Sequence, residues 1–142
     1  MSDPGNPPVR ITLEHTEGLR FTGCDDKGTR LAIDGSGEGT PSGLRPMGLI
    51  LAALGTCTAI DVVLIMEKKR QPLTRYRIEV TGERAEKPPR RYTRIRVVHH
   101  VSGPGIERAS VETAVRLSST TYCSVGASLN AEIEHEVVIE TL

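Results

Sequence analysis

An α+β fold is predicted by three features of this sequence. Residues 9–34 alternate apolar and polar side chains with the period of strands, and residues 46–70 form one long apolar run. A second set of alternating segments, from residue 75 to the end, is interrupted by a single amphipathic helical stretch. The resulting order, βββ-α-ββ-α-β, groups strands instead of alternating them strictly with helices, which implies an antiparallel or mixed sheet packed on helices. With 142 residues the chain makes one domain, 1–142, long enough to bury a core.

Residues 1–8, rich in Pro and Gly, are expected to be loose. From there Val9, Ile11 and Leu13 point one way and Arg10, Thr12 and Glu14 the other. Glu17-Gly18 turns the chain into a strand over 19–24, and Asp25-Asp26-Lys27-Gly28 turns it again into 29–34, completing a three-stranded meander. The next segment, GSGEGTPSGLRP, has the composition of a phosphate-binding loop. It lacks both the Lys-Ser/Thr ending and a βαβ frame, so it reads as a flexible linker. Pro46 opens a helix, where its missing N–H costs nothing. Lys68, Lys69 and Arg70 complement the helix dipole at the other end, and Pro72 stops it. Residues 49–60 are apolar or small on every side, which predicts a central helix buried all round and a partner subunit supplying part of the cover. Tyr76, Ile78 and Val80 form one further strand and Ile95, Val97 and Val101 another, joined by the polar loop GERAEKPPRR. A helix over 105–121 carries the stripe Val111, Ala114, Val115, Ser118 and Tyr122. A short turn over 124–129 comes after it, and a last strand over 131–141 points Ile133, Val137 and Ile139 inward.

Composition narrows the function classes. Eighteen basic residues balance 18 acidic ones, aromatics are 3% and Trp is absent. Neither a basic field nor stacking platforms for nucleic acid are offered, and Lys68-Lys69-Arg70 and Arg90-Arg91 read as a helix end and a hairpin edge. The apolar stretch 49–60, broken by Gly55, Thr56 and Thr58 and followed by Asp61, reads as too short and polar to span a bilayer, so no membrane partner is expected. The N-terminus lacks a signal-peptide pattern, and a cytoplasmic location is expected. Three cysteines in a reducing compartment suit catalysis or redox sensing better than a disulfide framework.

Two of those cysteines stand in helical contexts, Cys57 within LILAALGTCTAIDVV and Cys123 within SSTTYCSVGASL. Each is open to two readings, a reactive thiol or a small core hydrophobe. Cys24, at a strand end, is read as incidental. Asp61 shares a helix face with Cys57, four residues on, and either orients the site or forms a structural contact. His15, His99 and His135 fall on apolar strand faces as core or interface histidines. No short ligand spacing exists, so neither a metal nor another cofactor is expected.

Pro46, the small and apolar run to Gly55, Cys57 with Asp61-Val62-Val63, and Tyr122-Cys123-Ser124-Val125 together resemble the OsmC-like family of osmotically inducible and organic hydroperoxide resistance proteins. Glu17-Gly18-Leu19 and Ala59-Ile60-Asp61-Val62-Val63 look most like a less-characterised branch of it. The resemblance implies an intertwined homodimer with a long central helix and sites at the subunit interface. It also implies a thiol-dependent peroxidase acting on organic hydroperoxides, with Cys57 peroxidatic, Cys123 resolving and a dithiol, lipoyl-type or similar, as reductant. Strong peroxidases of this family place a glutamate just after the helix-opening proline to hold a catalytic arginine. This chain has Met47 there, and Arg20, Arg45 and Arg91 all stand as candidate cations. A binding module for a small ligand and a redox sensor are the alternatives on the same fold.

Overall fold

The structure, a computed structural model, describes residues 5–37, 39 and 41–141. Residues 1–4 of the segment expected to be loose, and 38 and 40 of the expected linker, lie outside the described residues. The architecture is α+β in the order βββ-α-ββ-α-β, with a short extra helix before the last strand. Internal contacts group the chain into two compact units, Met1–Leu49 and Ile50–Leu142.

The first unit holds β1 (Ile11–Glu17), β2 (Arg20–Asp25) and β3 (Arg30–Asp34), an antiparallel meander as its turns predict. Gly18 and Gly28, with φ of 52° and 84°, take the left-handed conformation those turns need. Asp34 ends the meander and organises the Gly-rich segment after it. Its carboxylate accepts from the Ser36 N–H at 2.8 Å and from the Ser42 N–H and hydroxyl at 3.0 and 3.2 Å. Leu44 then bridges back to β3, so the described residues of that segment are tied at both ends.

The second unit is built on β4 (Arg75–Arg84), β5 (Tyr92–Ser102) and β6 (Glu132–Ile139), a mixed sheet in which β4 and β5 are antiparallel and β5 and β6 parallel. The expected loop over 82–91 is shorter than its polarity suggests. Gly82, Glu83 and Arg84 continue the ladder opposite Ile95, Arg94 and Tyr92, because backbone pairing tolerates polar side chains on an exposed strand end.

Helix α1 (Pro46–Lys68) is continuous over 23 residues. Thr56 does not interrupt it, since its hydroxyl bonds back to the Ala52 carbonyl at 2.7 Å. This corrects the sequence reading: by length and composition α1 is long and apolar enough to cross a bilayer. Its own chain covers the helix on one side, leaving the rest of the expected all-round cover unsupplied. Leu54, Gly55, Thr58, Ala59, Val62 and Met66 are buried, while Ile60, Val63 and Leu64 remain exposed. Gly55 lets the helix approach β4: a methyl there would sit 2.8 Å from a Val80 methyl. The helix ends with Arg70 in the left-handed conformation and the Gln71 N–H returning to the Met66 carbonyl at 2.9 Å.

Helix α2 (Arg108–Leu117) packs Val111, Ala114 and Val115 into a cluster with Val62, Met66 and Val101. The chain then widens into a π-helical turn, Ser118–Tyr122, closed by the Cys123 N–H on the Ser118 carbonyl at 2.8 Å. The extra residue carries Tyr122 off the expected stripe to 58% exposure, while Ser118 stays buried. Helix α3 (Ser124–Ala127) begins at once.

Candidate functional site

The π-turn sets the position of Cys123. It leaves Cys123 extended at the start of α3, where its Sγ takes the place of a capping oxygen and accepts the Gly126 N–H at 3.3 Å. The fully buried Thr58 of α1 directs its hydroxyl at the same sulfur, 3.6 Å away. Cys57, one residue before Thr58, reaches the same region. There the Cys123 thiol and the Val125 and Ser124 N–H groups come near enough to act on its ionisation. The two cysteines, 66 positions apart in the chain, are therefore neighbours, and both are free thiols.

These contacts act on Cys57 in opposite directions. The Val125 N–H favours the thiolate most strongly, but burial and the adjacent Cys123 thiol together outweigh it. The net result is a thiol that ionises above its ordinary range.

Asp61 is spoken for by structure. Its carboxylate accepts the buried Ser118 hydroxyl at 2.7 Å and so pins the π-turn that presents Cys123. The candidate cations are engaged in their own units. Arg20 pairs with Glu17 at 2.7 Å and Asp34 at 3.5 Å, and Arg45 donates to the Ser36 carbonyl at 3.1 Å. Arg91 donates to the Tyr92 carbonyl at 3.0 Å and to Asn130 at 3.4 Å. Cys24 donates to its neighbour's carbonyl at 3.5 Å.

The histidines divide. His15 is at the surface of the chain and not in its core, with Nε2 2.8 Å from the Gly18 carbonyl. His99 is fully buried, with Nδ1 2.5 Å from the Tyr76 hydroxyl and Nε2 3.0 Å from His135 Nδ1. These three side chains lie on one diagonal across the inner face of β4, β5 and β6, since His99 stands opposite Ile78 and Val137. Burial, with the neighbouring charges of His135 and His100, pulls His99 down to about 4, and burial lowers His135 as well. The alternation showed each residue facing inward. It could not show that the three meet, because register is a tertiary property.

Beside this chain lies a pocket of about 330 Å³ walled by Leu54, Thr58, Thr120, Cys123, Ile133 and His135. His135 also borders a more open cleft of about 640 Å³ with Arg108 and Glu112.

Residues 37–138 match the sequence profile of the OsmC-like protein family. Protein YhfA of Escherichia coli is 41% identical over 126 residues, covering 88% of this chain and 92% of its own length. The crystal structure of a hypothetical protein from Aquifex aeolicus superposes with a TM-score of 0.78 at 33% identity, covering 95% of this chain and 99% of that one. An organic hydroperoxide resistance protein OsmC from Legionella pneumophila shares the fold at 13% identity, with a TM-score of 0.62 over 95% of this chain and 98% of that one.

Proposed function

We propose that this chain, which belongs to the OsmC-like family, reduces organic hydroperoxides through Cys57 and Cys123. The family points to peroxide-related redox chemistry, and the observation that supports the finer reading is the neighbouring pair of free thiols, with the Val125 and Ser124 N–H groups favouring the Cys57 thiolate. In this mechanism the Cys57 thiolate attacks a peroxide oxygen, the O–O bond breaks and alcohol leaves, so that Cys57 becomes a sulfenic acid. The Cys123 thiol then attacks that sulfur, water departs and a disulfide forms. A dithiol returns both cysteines to thiols and is itself oxidised to a disulfide.

The apolar, exposed Ile60, Val63 and Leu64 of α1 support a homodimer in which a second copy covers this face. A cytoplasmic setting, which keeps the thiols reduced between cycles, fits the same reading.

The test is consumption of cumene hydroperoxide against hydrogen peroxide, with dithiothreitol as reductant, by wild type and Cys57→Ser. Turnover that favours the organic peroxide and vanishes in the variant is expected. The raised Cys57 thiol favours one second reading, a slow sensor that oxidises once and signals through its disulfide. Stoichiometric peroxide loss that no dithiol can recycle would select it.

A further inference from the structure

Two polar side chains on one face of α1 grip the two ends of the π-turn. At its start the Asp61 carboxylate accepts the fully buried Ser118 hydroxyl at 2.7 Å. Just past its end the Thr58 hydroxyl reaches Cys123 Sγ at 3.6 Å. Thr58 is the residue after Cys57, and Asp61 follows it by three more, so both grips come from the helix that carries the other thiol.

The place of Cys123 depends on the register of that turn. Its closing bond, from the Cys123 N–H to the Ser118 carbonyl, spans five residues. In the commoner α register such a bond spans four, and every side chain beyond it would swing by about 100° round the helix axis, carrying Cys123 away from Cys57. The Ser118 N–H is shared between the Ala114 and Val115 carbonyls, so α2 is regular up to Ser118 and widens only beyond it. The Asp61 contact therefore falls on the residue at which the register changes.

We propose that Asp61, acting through Ser118, is a positioning residue for disulfide closure: it fixes the register that keeps Cys123 beside Cys57. The inference rests on the thiol-pair reading above. In closure the new S–S bond forms as the S–O bond of the Cys57 sulfenic acid breaks, and the oxygen leaves as water with the Cys123 proton. Two groups held in one geometry react as an intramolecular pair, at a rate that follows how fully the geometry is kept. Releasing Ser118 lets the turn leave its register, so closure slows and the sulfenic acid stays open to a second peroxide.

The test needs no peroxide. In a Cys24→Ser background the chain is mixed with dithiobis(nitrobenzoate). Cys57, the more exposed thiol of the pair, takes up thionitrobenzoate at a rate set by reagent concentration. Cys123 then attacks Cys57 Sγ, the mixed disulfide breaks, and thionitrobenzoate leaves at a rate independent of the reagent, the Cys123 proton passing to solvent. Asp61→Ala and Ser118→Ala should each slow this closing step about tenfold, the scale of one hydrogen bond to a charged group, and leave the loading step unchanged. The double variant should be no slower than either single one, because both break the same bond. Asp61→Asn, whose amide oxygen still accepts from Ser118, should keep most of the rate. A merely structural Asp61 would lower the urea midpoint of the alanine variants with the closing step intact in folded protein, and that result would overturn the assignment. So would an Asp61→Asn variant as slow as Asp61→Ala. If the Cys24→Ser chain itself shows no reagent-independent release, no disulfide closes, and the thiol-pair reading falls together with this inference.

Discussion

Asp34 and His99 are both buried polar residues at strand positions, and they are satisfied in opposite ways. Asp34 closes the meander of the first unit and takes its hydrogen bonds from residues two and eight positions on, with the Arg20 guanidinium, 14 positions back, at 3.5 Å. It remains a carboxylate: hydrogen bonds from Ser36, then Ser42, hold it well below its ordinary 3.8. His99 lies in the sheet of the second unit and takes its partners from 23 and 36 positions away. There the environment selects the neutral form. Local partners can hold a charge because backbone N–H groups of a tight turn converge on it, whereas a sheet interior offers only single side-chain contacts and excludes water.

The sharpest break in this comparison is His99→Leu. It leaves the Tyr76 hydroxyl and His135 Nδ1 without partners and should cost about 4 kcal/mol, two unsatisfied buried groups at about 1–3 kcal/mol each, measured by urea denaturation at pH 7. Acid comes next. His99 ionises at about 4 folded against 6.5 ordinarily, so the unfolded chain binds more protons in that interval. Stability should be full above pH 6.5 and fall as pH drops towards 4, by about 3 kcal/mol at most. A denaturation midpoint that stays level over this window would remove His99 from its neutral state.

Tyr76→Phe should cost less, about 1–2 kcal/mol, because it orphans only His99 Nδ1. It also frees the tautomer, visible as a change in the imidazole nitrogen shifts. Asp34→Asn completes the series and should lower stability at neutral pH, where the carboxylate's hydrogen bonds are made. Depression of the Asp34 carboxyl supplies stability that is present above pH 3.8 and lost as pH falls through its lower folded value. The variant should flatten that acid limb and leave the limb between 4 and 6.5 untouched. A change in the higher limb would mean that the two residues are coupled.

The two cysteine sites show the same division. That Cys57 and Cys123 occupy special contexts was legible, because Pro46, the apolar run and the segment around Tyr122-Cys123-Ser124 are local patterns. The role of Asp61 was not, since a π-turn is invisible to a helical period of 3.6 residues and only that turn brings Ser118 to it. Arg91 shows the same limit, for its partner Asn130 is 39 positions away.

The sequence by itself determined the strand and helix order, the meander turns, the start and stop of α1 and the family, because each is written in residues that are neighbours along the chain. Tertiary structure alone decided that the two thiols meet, that Tyr76, His99 and His135 form one line, and that the pocket opens on Cys123. Those depend on the parallel register of β5 and β6 and on the extra residue of the π-turn, and pairing register is set by packing across the sheet, not by the order of residues within a strand.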